Sequence, residues 1–218
     1  MKEKKLYRST FFDYSESISF KKRKEMLKII NSFIKYKEIK SVLDVGTIDN
    51  KEEKTANYIA KNLKNIKKIN SLSIQNITEK KFQKNFKKSI TSTFSKDDLK
   101  IMKSDLVLST ATIEHVGIFK NQIKMMENII KLSKKFFIIT TPNRQHPMEF
   151  HTKLPLIHLL NKKIHRKILS FLVFSFFSKE KNLNLLTKND FKNIMKILNF
   201  DDYNIVDIKL LHLNSNII

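Results

Sequence analysis

The chain has 218 residues, which suits one α/β domain with enough length to bury a substantial core. A hydrophobic share of 41% argues against disorder, and the absence of Cys excludes disulfides, thiolate metal sites and a secreted disulfide scaffold. The net charge of +22 suggests polyanionic partners, but it rests on 39 Lys against 4 Arg, with Asn and Ile also abundant, which is the imprint of AT-rich coding. Arg, the residue suited to bidentate phosphate and base recognition, is nearly missing. Solvated lysine faces are therefore the first reading of the charge, and a nucleic-acid or anionic membrane surface the second. The opening stretch "MKEKKLYRSTFFDYSES" has no apolar segment of the signal-peptide kind. The longest apolar run, "ILSFLVFSFF" at 168–177, is about half of the roughly 20 residues a spanning helix needs. No transmembrane segment and a cytoplasmic location are the expectations.

In chain order, residues 16–38 have helical periodicity, with Met26, Ile30, Phe33 and Ile34 on one stripe and Ser15 or Ser17 as cap. "SVLDVG" (41–46) is a short apolar run ending in Gly, a buried-strand pattern. "KEEKTANYIAKNLK" predicts a helix with Ala56, Ile59, Ala60 and Leu63 inward and two Glu in its first turn. Strands follow at "INSLSI" (69–74), at "SITSTF" (89–94) as a candidate third, and at "SDLVLST" (104–110). Residues 119–133 predict a helix with Ile123, Met126 and Ile130 inward, and "KFFIITT" (135–141) a strand stopped by Pro142. The block 142–186 reads as irregular chain plus helix. "TKNDFKNIMKILNF" predicts a helix opened by Thr187 and Asp190 as a capping-box variant. "YNIVDIKLLHL" predicts a long final strand, and "SNII" a short seventh one at the end.

Strands alternating with helices predict a mostly parallel sheet covered on both faces, in one domain over 1–218. Within it, 1–39 is a helical lead-in and 142–186 a lid or insert. Ligands of such sheets bind beyond the C-terminal strand ends. That selects the segments "DVGTIDN", "SIQN", "STATIEHVG" and "TTPNRQHPMEFH".

"SVLDVG" resembles motif I of the class I S-adenosylmethionine-dependent methyltransferases, and "SDLVLSTATIEHVG" resembles their fourth strand with its following loop. "FFIITTPNRQHPMEFHTKLPLIHLL", with "FFSKEKNLNLLT" after it, looks like one bacterial branch of that superfamily. The resemblance covers roughly residues 40–216. It implies a three-layer Rossmann-like sheet with an antiparallel last strand, S-adenosylmethionine as cofactor, and methyl transfer as activity. On the matched positions it implies cofactor contacts at Asp44, Val45, Gly46, Thr47, Gln75, Thr110 and Ala111. Two departures bear on that pattern. Ile48 and Asn50 stand where the superfamily has its second and third loop glycines, so the loop must take another shape. Gln75 and Asn76 stand where an acid usually binds the ribose hydroxyls. The missing G-x-G-x-x-G spacing excludes a standard dinucleotide site.

His115 follows the fourth strand, where it reads either as general base for a hydroxyl acceptor or as a brace with Glu114 for the next helix. The run "TPNRQHPMEFHTKLPLIH" collects Asn143, Arg144, His146, Glu149 and His151. With Glu114, these are the candidate acceptor-binding residues. A lid that holds an anionic group on Arg144 competes with a hydrogen-bonded structural strap. His and Glu are also the ligand types of zinc and iron, but H-x-x-E-x-H with Pro147 inside it is not the helical metal motif, and no metal is expected. Residues 164–178 set basic side chains beside an apolar stripe. They suit either a core-packed helix or a lid touching a lipid-like acceptor or a membrane surface. The favoured acceptor is a small molecule or a glycan or lipid precursor. RNA methylation over the basic surface and a non-catalytic binding role are the alternatives.

Overall fold

The structure, a computed structural model, describes residues 10–50, 55–172, 174–210 and 212–218. A twisted sheet forms its middle layer. Its strands are β1 (Ser41–Val45), β2 (Lys68–Ser73), β3 (Asn85–Lys87), β4 (Ser104–Thr110), β5 (Ser133–Pro142), β6 (Asp207–Leu210) and β7 (Leu213–Ile217). Their order across the sheet is β3-β2-β1-β4-β5-β7-β6. β1 to β5 pair in parallel, and β7 runs antiparallel to both of its neighbours. The order reverses beside β1, so the ends of β1 and β4 flank the crevice where open α/β sheets bind ligands.

Side-chain alternation along the central strands feeds two cores. Val42, Leu106 and Leu108 meet Met26 and Ile30 of α1 (Thr10–Ile34) and Ile59 of α2 (Tyr58–Lys61). Leu43, Val45 and Val107 meet Met126 and Ile129 of α4 (Phe119–Leu132) and Ile194 of α7 (Lys188–Ile197), while α3 (Lys96–Met102) contributes Met102 to the same face. Both faces of the parallel strands are thus covered, which is why they read as nearly continuous apolar runs.

Several expectations are corrected. α1 starts at Thr10, so Ser15 and Ser17 lie inside the helix and not at its cap; Phe33 is 44% exposed and packs edge-on against Phe136. The helix over 51–64 contracts to the single turn of α2, although Ala56, Ile59, Ala60 and Leu63 are all buried; Glu52 and Glu53 lie outside the described residues. β3 is Asn85–Lys87, while 89–94 forms turns with Ile90 turned into the core. α3, with a full capping box between Ser95 and Asp98, had no counterpart in the sequence reading. The long strand over 203–213 is instead the β6–β7 hairpin, broken near His212 at φ 66°. α7 begins with the expected reciprocal cap of Thr187 and Asp190.

The 142–186 segment holds α5 (Lys162–Phe171) and α6 (Ser175–Ser178). α5 is only shallowly seated: His165 and Leu169 are buried, whereas Ile164, Phe171, Leu172 and Phe176 are exposed, Phe171 by 80%. That departs from a core-packed helix. No helix among the described residues is long and apolar enough to cross a membrane.

Candidate active site

The crevice opens over the C-terminal ends of β1, β4 and β5. It is a cavity of about 250 Å³ floored by Gly46, Thr110, Ala111 and Thr141, with His151 on one wall and α1 residues Lys22 and Arg23 on another. That volume lies just below the roughly 300–1,000 Å³ usual for small-molecule sites.

Gly46 ends β1 at φ +85°, and its amide bonds the Leu72 carbonyl at 2.9 Å. A Cβ there would stand 2.2 Å from Thr112 Oγ1 and 2.8 Å from Thr112 Cβ. No side chain fits, because the loop after β4 lies directly against the end of β1. Ala111, in that loop, is itself left-handed at φ 49°, held by its amide on the Thr140 carbonyl. Strain of this kind gathers where the fold dictates backbone position at a site.

The loop without its further glycines keeps ordinary φ values at Ile48 and Asn50. The left-handed residue is Asn57, at φ 51°, and its side chain bonds both the amide and the carbonyl of Ile48. Gln75 Oε1 accepts from the Asp49 amide at 3.0 Å, and Asp49 accepts from the amide and hydroxyl of Thr78. Side-chain amides and a carboxylate thus fix the loop that glycines would otherwise shape. Asp44 and Thr47 are buried and do not line the cavity, and Thr47 Oγ1 donates to Asp44 Oδ2 at 2.7 Å. Burial pushes the Asp44 carboxyl up to about 7, against the opposing hydrogen bond from Thr47.

Of the other expected residues, Glu114, His115, Glu149 and His151 come together. Glu114 is fully buried; its Oε2 accepts from Thr141 Oγ1 at 2.9 Å. His115 donates from Nδ1 to the Asn182 carbonyl at 2.7 Å, and its Nε2 lies 3.1 Å from His151 Nε2. His151 Nδ1 donates to Glu149 Oε1 at 2.7 Å. The Glu149 carboxylate also accepts from the His151 amide and from the amide and hydroxyl of Thr152. Burial raises the Glu149 pKa, but this ring of donors outweighs it and holds the group at about 2. Burial likewise lowers the His151 pKa, and Glu149 more than reverses it, for a net upward shift.

Asn143, Arg144 and His146 are placed elsewhere. Asn143 ties β5 to β7 through the Asn214 and Ser215 carbonyls. The Arg144 guanidinium donates to the Leu160 carbonyl at 2.9 Å, beside α5 and away from the cavity. Its placement does not favour an acceptor-binding role. His146 is buried against Phe150, its Nδ1 accepting from the Met148 amide. These three belong to the strap reading of the segment. Val45 is buried in the core and Gln75 does not line the cavity. The sequence reading singled out neither Asn57 nor Arg23, while Thr141 and Phe150 lay unnamed within its selected segment "TTPNRQHPMEFH".

No protein-family profile and no curated protein sequence matches the chain. Solved structures match it in shape. A magnesium protoporphyrin IX methyltransferase (ChlM) from Synechocystis PCC 6803, solved with bound SAH, superposes with a TM-score of 0.57 over 97% of this chain and 87% of that one, at 10% identity. This is a methyltransferase-type fold. The small RNA methyltransferase HEN1 gives a TM-score of 0.55 at 12% identity over 89% of this chain and 24% of that one. The plantazolicin methyltransferase BpumL, in complex with a pentazolic desmethylPZN analog and SAH, gives 0.51 at 15% identity over 85% and 66%. At these identities the common property is the methyltransferase-type fold.

Proposed function

We propose that the chain is an S-adenosylmethionine-dependent methyltransferase acting on a small molecule or a glycan or lipid precursor. The observation that carries this reading is the Gly46 turn, where the loop after β4 seals against the end of β1 and leaves a cavity at the crevice of the sheet. The cavity fits the cofactor in kind: Gly46, Thr110 and Ala111 present backbone at strand ends, with Lys22 and Arg23 of α1 opposite. The bound cofactor supplies an electrophilic methyl group, so the chain's own task is to align the acceptor and keep water out.

Thr141, Phe150 and His151 form the wall on which an acceptor would rest. Phe177, its ring 5.8 Å from that of His151, extends this wall into the exposed apolar surface of α5 and α6. That continuity favours an acceptor with an apolar part. His115 does not line the cavity, and both of its ring nitrogens are already engaged. It therefore does not act as a lone general base.

The non-catalytic alternative has one observation in its favour: Gln75 spends its oxygen on the Asp49 amide, and no acid takes its place at the end of β2. Calorimetric titration with S-adenosylmethionine and S-adenosylhomocysteine, beside a Gly46→Val variant, decides the cofactor question. Saturable binding by the wild type that the variant loses is the expected result. Folded wild-type protein that binds neither ligand overturns the reading.

A further inference from the structure

The cluster of Glu114, His115 and His151 holds a close nitrogen–nitrogen contact that calls for either a shared proton or a bound cation. His115 and His151 each donate from Nδ1, one to the Asn182 carbonyl and one to Glu149, both at 2.7 Å. A neutral imidazole protonated at Nδ1 carries a bare lone pair on Nε2. Yet the two Nε2 atoms face each other at 3.1 Å. Two lone pairs at that separation repel unless positive charge lies between them. Glu114 adds a second anomaly. Its Oε1 is completely buried and has no hydrogen-bond partner, although Oε2 is held by Thr141. An unpaired buried carboxylate oxygen costs desolvation without return. Oε1 lies 3.9 Å from His151 Nε2, and the three donor atoms all fall within 4.8 Å of one another.

We propose that Glu114, His115 and His151 bind one divalent transition-metal ion of the zinc type behind the cavity wall that His151 lines. Two imidazole nitrogens and one carboxylate oxygen are the donor set such ions take, and a three-ligand site keeps a position open for a further oxygen. Metal–nitrogen bonds of about 2.0–2.1 Å place two neighbouring nitrogens about 3 Å apart, which matches the observed pair. The surrounding bonds have the form that metal sites require: each ligating ring is oriented through its other nitrogen, His151 by a carboxylate and His115 by a backbone carbonyl. The sequence pattern argued against a metal because H-x-x-E-x-H is not a helical motif. Here the ligands come from two loops, and Glu149 of that run orients His151 and is not itself a ligand. If the methyltransferase reading holds, the open position suits a hydroxyl of the acceptor, whose proton passes to solvent water as the oxygen binds the ion. Metal binding itself does not depend on that reading.

The test is metal binding by the full chain, free of any affinity tag and without nucleoside ligand. Co²⁺ is the probe, read by its absorption, with bound Zn²⁺ counted by elemental analysis after gel filtration. The expected result is about one ion per chain, with Co²⁺ bands of a nitrogen–oxygen site. His115→Ala, an exposed position that leaves the core untouched, should lose the site, and His212→Ala should keep it. Glu149→Gln, tested only after its melting curve shows folded protein, should weaken binding by about 10–100-fold. Wild-type protein without bound ion, or binding unchanged in His115→Ala, overturns the proposal and leaves a histidine pair that shares a proton. Because these readouts need no cofactor, a failure here is distinct from a failure of the methyltransferase reading.

Discussion

The side-chain amide of Asn57 grips both backbone groups of Ile48: Oδ1 accepts from the amide at 3.1 Å, and Nδ2 donates to the carbonyl at 2.7 Å. A single residue nine positions downstream thus does work that glycines do in related loops. Asn tolerates the left-handed conformation better than other side chains, which explains why it can sit at φ 51°. Asn57→Ala removes both bonds and leaves Ala in a left-handed conformation, so it should cost about 2–4 kcal/mol in urea unfolding. Asn57→Gly relieves the backbone strain and should cost less, while still loosening the loop. An alanine variant as stable as the wild type would show that the clamp is idle.

Asp44 should make the fold less stable as pH rises. The unfolded chain ionises this carboxyl near its ordinary 3.8, the folded chain only near about 7. Between those values the native state holds the extra proton, so stability falls with rising pH and levels off above about 7. At about 1.4 kcal/mol per unit, the loss is at most about 4 kcal/mol. Asp44→Asn keeps an acceptor for Thr47 and should flatten this slope. Denaturant melts from pH 4 to 8 check it, and parallel curves for the two proteins would show an ordinary carboxyl.

His165 should act in the opposite direction. It is buried on the inner side of α5 with Nε2 unpartnered, and burial drives its pKa down to about 4. Between 6.5 and about 4 the unfolded chain takes the proton first, so acidification destabilises the fold. His165→Leu should remove that dependence and leave the protein more stable by up to about 2 kcal/mol at pH 5. A leucine variant that is less stable at both pH 5 and pH 8 would mean the imidazole has a partner worth keeping.

Phe171 and Phe176 should matter for association and not for folding. Both side chains are exposed, Phe171 at the end of α5, which carries Lys163, Arg166 and Lys167, and Phe176 on α6. The double change Phe171→Ser, Phe176→Ser should leave stability within about 0.5 kcal/mol, as surface changes do. It should lower co-sedimentation with anionic vesicles. Wild-type protein that does not sediment with vesicles would assign this patch to the acceptor alone.

The layers of the fold were legible because Val42–Val45 and Leu106–Leu108 feed two apolar cores and so read as continuous apolar runs, while the helices that cover them show a 3.6-residue period. α3 was missed because its seven residues hold one buried side chain, Met102, too few for a helical stripe. The β6–β7 hairpin was hidden because His212 turns the chain at positive φ without glycine or a turn-forming pair. Within the site, motif-like positions such as Gly46 and His115 stood out. Arg144 looked functional by composition, but it spends its guanidinium on a backbone carbonyl, a contact between residues 144 and 160 that no local pattern encodes. Asn57 carried no local signal at all.

β7 pairs in register with β5 at Thr141–Ile217 and Pro142–Asn216, with Asn143 just beyond bonding the Ser215 and Asn214 carbonyls, and the rest of β5 borders an apolar groove of about 510 Å³. The sheet is in effect two plates joined by a short weld. Amides of the β6–β7 hairpin should therefore exchange with solvent through a local opening far cheaper than global unfolding, while those of β1 and β4 exchange only with the whole. The weld also carries Thr141, Pro142 and Asn216 into the cavity. A ligand seated there would clamp the two plates together, and its arrival would be recorded as slowed exchange in a hairpin on the far side of the sheet from the glycine turn.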